Sequence, residues 1–472
     1  MVFSSTAFVF FFLPLALAGY FLLRSMRSRN IWLLIVSLFF YTWGEACFLP
    51  ILLYSIFINY ISGRLIGYLR SRQREGVCKA MFIAAICLNL LNLGYWKYMK
   101  FIVQIMGDVT GKPFALPDIV LPIGISFFTF QGMSYVIDVY RNEAQVQKNL
   151  IKLGLYVALF PQLIAGPIVR YSDIERQLDN RSSNVENLAA GIRLFTVGLA
   201  KKAILSNSIA VTADKIFSLS PYQNEPIIAW AGLFCYSFQL YFDFSGYSDM
   251  AVGLGKMFGF QFVQNFNYPF ISRSCAEIWK RWHISLSSWF RDYVYIPLGG
   301  SRRGNVYIHL LCVFTLTGLW HGASWNYVVW GIFWGVCIVT EKFLAQKCKW
   351  KIKIPRVLSW MSAMFLWLIS MVIFRTETLE ECALYFRSLF GILPLKDVGF
   401  SWLYYFHTYE IFIIVCCLIA AAPTGKNVYL WVKGRLPEWG AILENVLTLA
   451  LLGIAAIYVV TGTYNPFIYF QF

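Results

Sequence analysis

The sequence predicts an all-α polytopic membrane protein, and three observations carry that prediction. Of its 472 residues 58% are hydrophobic and 18% aromatic, only 14% are charged, and the mean hydropathy is +0.59; a soluble domain carries roughly one quarter charged residues. The apolar residues gather into runs close to the roughly 20 residues a helix needs to cross a bilayer. The 40 Lys and Arg outnumber the 24 Asp and Glu, for a formal net charge of +16, and most basic residues lie in short loops between apolar runs, where retention on the cytosolic side accounts for them. Binding to nucleic acid, the other usual source of such a charge, is not expected.

The first run, FVFFFLPLALAG, ends like a signal-peptidase site at Ala16-Leu17-Ala18. No basic residue precedes it, however, the apolar residues continue through Leu23, and Arg24, Arg27 and Arg29 follow as a stop. It is expected to be a first transmembrane helix with the N-terminus outside. The stretch from Ile31 to about Leu69 is long enough for two passes broken near Gly44-Glu45, and the basic cluster Arg70, Arg72, Arg74 and Lys79 returns the chain to the cytosol. Further spans are expected at about 80 to 97, 119 to 139, 150 to 165, 187 to 205, 227 to 245, 306 to 320, 327 to 344, 357 to 374, 409 to 422 and 445 to 461. That makes roughly ten to twelve passes. No repeat, low-complexity linker or soluble domain interrupts them, so residues 1–472 read as a single membrane domain.

The eleven cysteines form no CxxC pair and no cluster with histidine, and most fall inside apolar stretches, where they read as small buried residues. Neither a structural metal, nor a disulfide framework, nor a resident cofactor is expected.

Polar residues within apolar runs are the informative ones, because at membrane depth they must face protein or water. In LFPQLIAGPIVRYSDIERQL, Pro161, Gly166 and Pro167 break a helix beside Gln162, Arg170 and Asp173; a simple loop explains this equally well. In YSFQLYFDFSGYSDMAVGLGKMFG, Gln239, Asp243, Ser245 and Asp249 interrupt an aromatic run, and a structural hydrogen-bond network is the plainer reading. In SCAEIWKRWHISLSSWFRDYVYIPLGGSRRG, Trp279, Trp282, His283, Leu286, Phe290 and Tyr293 recur at helical spacing while Lys280, Arg281, Ser288 and Arg291 occupy the other side. This predicts an amphipathic helix at the cytosolic surface. Finally, VYIHLLCVFTLTGLWHGASWNYVVWGIFWGVCIVT places His321 inside an almost wholly apolar stretch. A helix starting near Asn305 would carry it about 24 Å inward, less than a hydrocarbon core of about 30 Å. An ionisable group there is a functional candidate, and a neutral imidazole suits general-base work. A proton relay or a structural histidine remains the alternative.

WKRWHISLSSWFRDYVYIPLGGSRRG followed by GLWHGASWNYVVWG, with FPQLIAGPIVRY upstream, YFDFSGYSDMAVGLGKMFG between and PFIYFQF at the C-terminus, resembles the membrane-bound O-acyltransferase superfamily. It is more closely similar to the bacterial alginate O-acetyltransferase branch, with core motifs at about 120–345. The resemblance implies a helical bundle with re-entrant or interfacial helices around a central tunnel, in a bacterial inner membrane. It assigns the catalytic role to His321 through the WHG motif and makes His283 of WHISLS the second family histidine. It further implies a cytosolic acyl thioester, acetyl-CoA, as donor, a polysaccharide acceptor such as an alginate-like exopolysaccharide or peptidoglycan, and a separate serine-esterase-like partner outside. Lys280, Arg281 and Arg291 would then serve the donor, and Trp320, Trp325, Asn326, Gln239 and Asp243 would shape the site. Two alternatives stay open: transfer of another acyl group, such as D-alanine from a carrier protein, and a proton-coupled transporter or flippase. The latter often shows internal repeat symmetry, which the sequence does not.

Overall fold

The computed structural model describes residues 1–112, 114–347, 355–396, 402–462, 464–466 and 468, and among these every regular element is helical. Most of the terminal PFIYFQF motif therefore lies outside the described residues. The chain forms two compact units, each built from discontinuous segments: residues 1–195 with 250–264, and residues 196–249 with 265–472.

In the first unit, the apolar N-terminal run becomes a helix over Phe8–Leu22, shorter than a full span. Helix α1 (Met26–Glu45) starts at Ser25, whose hydroxyl accepts from the Ser28 N–H. A short 3-10 turn at Ala46–Phe48 separates it from α2 (Leu49–Ser71), at the break expected near Gly44-Glu45. Helix α3 (Glu75–Leu93) follows, and α4 (Ile125–Arg141) is buried on every side from Ile125 to Val139. Its Gly132 permits that burial, since a Cβ there would lie 2.3 Å from the Asn59 side-chain nitrogen on α2. The expected 150-to-165 span is instead two short helices, Leu150–Ala158 and Phe160–Leu163, parted at Leu159.

In the second unit, α5 (Pro226–Met257) contributes its residues through Asp249. The helix expected around His283 is a pair, α6 (Cys275–Arg281) and α7 (Ile284–Phe290). Then come α8 (Val306–His321), α9 (Trp325–Lys347), α10 (Arg356–Arg375), α11 (Thr408–Ala420) and α12 (Pro437–Thr461). Helices α8 and α9 form an antiparallel hairpin. Tyr307 reaches Gln346 at its open end with a 3.2 Å hydrogen bond, and close to the bend a Cβ on Gly318 would meet the Tyr327 carbonyl at 2.2 Å. Glycine lets the two backbones meet there, as in other tightly packed membrane helices. Helix α10 runs antiparallel to α9, with Trp367 against Trp334 at 6.3 Å and Phe374 against Tyr327 at 5.3 Å. Arg356 thus stands at the open end and Phe374 at the bend.

The expected ten to twelve passes are not confirmed. Among the described residues six helical stretches are long and apolar enough to cross a membrane, or seven if Thr408–Ala420 and Thr424–Arg435, bent by 60°, count as one. Each expected span meets helix, but several of these helices are too short to cross, because apolar runs also build half-length helices buried within protein.

Candidate active site

His321 is the last residue of α8. The helix is started by Asn305, whose side-chain oxygen accepts from the Tyr307 and Ile308 N–H groups, and its 16 residues carry the chain about 24 Å along the helix axis. It ends at Gly322, which is extended, a conformation open to any residue; glycine is required by space, since a Cβ would lie 2.1 Å from the Tyr327 ring. The buried His321 ring is walled by Trp320 at 5.0 Å, Trp330 at 5.2 Å and Phe374 at 5.4 Å between ring centroids.

His283 reaches the same place by a different route. Rather than continuing one amphipathic helix, the chain extends at Trp282 and turns left-handed at His283, with φ 45° and ψ 53°. A non-glycine residue held this way costs roughly 1–3 kcal/mol and persists only where its surroundings over-determine it. Asn265 does so. Its side-chain oxygen accepts from the Ser285 N–H and hydroxyl, both at 3.0 Å, and lies 3.3 Å from His283 Nδ1; its backbone carbonyl accepts from the Ile284 N–H at 3.0 Å. A backbone N–H can only donate, so the Asn265 atom is an oxygen. His283 then carries its proton on Nδ1 and its lone pair on Nε2. Trp282 is wedged against Trp367 at 4.6 Å and Phe266 at 5.0 Å.

The outcome is two buried imidazoles 6.4 Å apart between ring centroids, with Phe244 4.7 Å and Trp320 5.7 Å from the His283 ring. His283 lies in the turn between two short helices, outside the membrane-length segments. Burial, and then the neighbouring His321, hold it well below the ordinary imidazole range, so it is neutral near pH 7.

The other residues singled out in the sequence divide. Trp320 is a wall of the site. Asn326 is buried and donates to the Thr376 carbonyl at 2.7 Å and hydroxyl at 3.0 Å, tying the bend beside His321 to the end of α10. Trp325 is 47% exposed. Gln239 is buried on α5. Asp243 forms a 2.7 Å ion pair with Lys202, both fully buried, and accepts from the Ile468 N–H at 2.9 Å; its neighbour Phe244 is the ring on His283. Of the three basic candidates, Lys280 is exposed, Arg281 pairs with Glu277 at 2.8 Å, and Arg291 pairs with Asp292. They are not gathered on the histidines.

Sequence reasoning missed Asn265, Phe244, Trp330, Phe374 and Lys202. Lys202 alone had a legible signal, a charge inside the expected span at 187 to 205.

Residues 139–383 match the family model described as membrane-bound O-acyltransferase. The chain is 38% identical to a probable alginate O-acetylase of Pseudomonas putida over 100% of both chains. It is 30% identical to the peptidoglycan O-acetyltransferase of Helicobacter pylori over 100% of this chain and 98% of that one. Its similarity to the teichoic acid D-alanyltransferase of Bacillus subtilis, 29% identical, covers 60% of this chain and 74% of that protein.

Proposed function

The chain belongs to the membrane-bound O-acyltransferase family, and on that premise we propose that it takes acetyl groups from a cytosolic thioester, acetyl-CoA, for O-acetylation of an extracellular or cell-wall polysaccharide. It is an O-acyltransferase and a multi-pass membrane protein. The observation that carries the finer reading is the pair of buried histidines 6.4 Å apart, each on its own element and both inside an aromatic enclosure. Acetyl is favoured over D-alanyl because the full-length relatives are named for O-acetylation, whereas the D-alanyltransferase similarity is partial.

In the proposed step, His321 accepts the proton of an attacking hydroxyl whose oxygen bonds to the thioester carbonyl carbon. The C–S bond breaks, and the imidazolium returns the proton to the leaving thiolate. The end of α8 supports this role, since the partial negative charge of a helix C-terminus favours a cation on its last residue. His283, held neutral and braced through Nδ1 by Asn265, positions the donor beside His321. Exclusion of water by the aromatic walls strengthens every electrostatic interaction in the step. A separate serine-esterase-like protein outside would receive the group and place it on the glycan.

Purified protein should consume labelled acetyl-CoA, and His283→Ala should slow that consumption at limiting donor. Unchanged consumption by the variant would remove His283 from the donor site; no consumption by the wild type of acetyl-CoA, but of an acylated carrier protein, would replace the donor.

A further inference from the structure

A cavity of about 580 Å³ lies wholly within the second unit, between α5, the segment around Phe270, α10 and the end of α11. Arg356, Trp360, Met364 and Leu368, each four residues from the last, form one ridge of α10 along its wall. That ridge spans about 18 Å, a little more than half of a hydrocarbon core of about 30 Å. The walls are apolar except for Ser237 and two guanidinium groups, Arg273 and Arg356, and no carboxylate lines the cavity among the described residues.

Both arginines belong to the open end of the α8–α9 hairpin. Arg356 is the first residue of α10, which runs antiparallel to α9. Arg273 immediately precedes α6, whose first N–H groups, on Cys275 and Ala276, are bound by Glu341 near the end of α9 at 2.7 and 3.3 Å. Glu277, the acid beside Arg273, is engaged by Arg281 and by the Arg273 backbone N–H. The cavity opens sideways: Val357 is 66%, Leu418 49% and Trp360 43% exposed in the protein alone. On a membrane-spanning chain that flank faces lipid. At its deep end Trp367 packs on Trp282, the residue before His283.

We propose that this cavity binds one anionic phospholipid from the leaflet at the Arg356 end, its phosphate held by Arg273 and Arg356 and an acyl chain laid along the α10 ridge toward Trp367. Guanidinium groups recognise phosphate oxygens bidentately, and a groove about one leaflet deep, basic at one end and apolar beyond, matches the polarity of such a lipid along its whole length. The bound chain would contact Trp367, which packs on Trp282.

Full-length protein purified in a mild neutral detergent, supplied with equal phosphatidylglycerol and phosphatidylcholine, tests this by native mass spectrometry. One tightly held phosphatidylglycerol per chain is expected. Arg273→Gln with Arg356→Gln should reduce its preference over phosphatidylcholine by roughly thirty-fold, given what each basic residue contributes near anionic lipid. The double lysine variant should keep much of the preference, and Ala422→Trp, which fills the cavity, should abolish retention of both lipids while the protein stays monodisperse. The proposal is overturned if the wild type shows no preference, if Ala422→Trp retains lipid as before, or if free CoA displaces the bound lipid, which would make the arginines a site for a soluble phosphate compound.

Discussion

Each unit buries a pair of polar side chains from well-separated parts of the chain, and the two pairs are built on opposite principles. In the first, Asn59 of α2 and Asn89 of α3 donate to each other's side-chain carbonyl at 3.0 and 2.9 Å, and each also donates to its own helix, to Ser55 at 2.7 Å and Ala85 at 2.9 Å. The network closes on itself and offers nothing to a reagent. In the second, His283 is braced through Nδ1 by Asn265, and aromatic rings with centroids 4.7 to 5.7 Å away wall the two imidazoles. Closure of hydrogen bonds makes polarity structural, whereas a braced ring inside an aromatic enclosure keeps its chemistry.

The contrast breaks most decisively at His321. His321→Ala should lower glycan-bound acetate by about 10²-fold to 10⁴-fold, the usual worth of a general base, in cells matched for membrane-inserted protein. Asn59→Ala should instead leave acetylation per folded molecule unchanged and lower thermal stability by about 1–3 kcal/mol, through the unsatisfied Asn89 amide. If Asn59→Ala stops transfer and His321→Ala does not, the assignment of chemistry to the second pair is wrong.

A buried charge pair in the second unit sharpens the contrast. Lys202→Met leaves Asp243 buried without its cation and should cost about 3–5 kcal/mol, read as lost membrane-inserted protein; adding Asp243→Leu should recover much of it. Failure of the double variant to recover would mean that Asp243 does more than pair with Lys202.

Smaller effects probe how the histidines are held. Gly322→Ala forces a Cβ into the Tyr327 ring and should reduce turnover about tenfold or more by displacing His321, whereas Gly94→Ala, which meets nothing within 4 Å, should do nothing. Asn265→Ala should cost about 1–3 kcal/mol and lower kcat, with partial rescue by Asn265→Asp, which keeps the accepting oxygen. Equal loss in both Asn265 variants would show that its oxygen does not orient His283.

Much of this was legible in the chain alone. The helix that ends at His321 and its length follow from the residue count between Asn305 and the WHG motif, because a helix has a fixed rise. The break at Ala46–Phe48 was legible from Gly44-Glu45 interrupting an apolar run. The break at His283 was not. No glycine or proline marks it, and the side chains on either side keep helical spacing, so periodicity predicts one helix. What bends the chain is Asn265, whose bonds to residues 283–285 exist only once the two segments are packed together. The number of spans is not legible for a related reason, since hydropathy cannot tell an apolar helix facing lipid from one facing protein.

The sequence by itself determined the solvent this protein lives in, its helical character and its kinship, because those depend on composition, on hydropathy and on contiguous motifs. Only the tertiary structure decided that His283 stands beside His321, that Phe244, Trp330 and Phe374 enclose them, and that Arg281 and Arg291 pair with carboxylates instead. Those contacts join segments far apart in the chain, and side-chain packing and hydrogen-bond closure between helices select them, which no local pattern encodes.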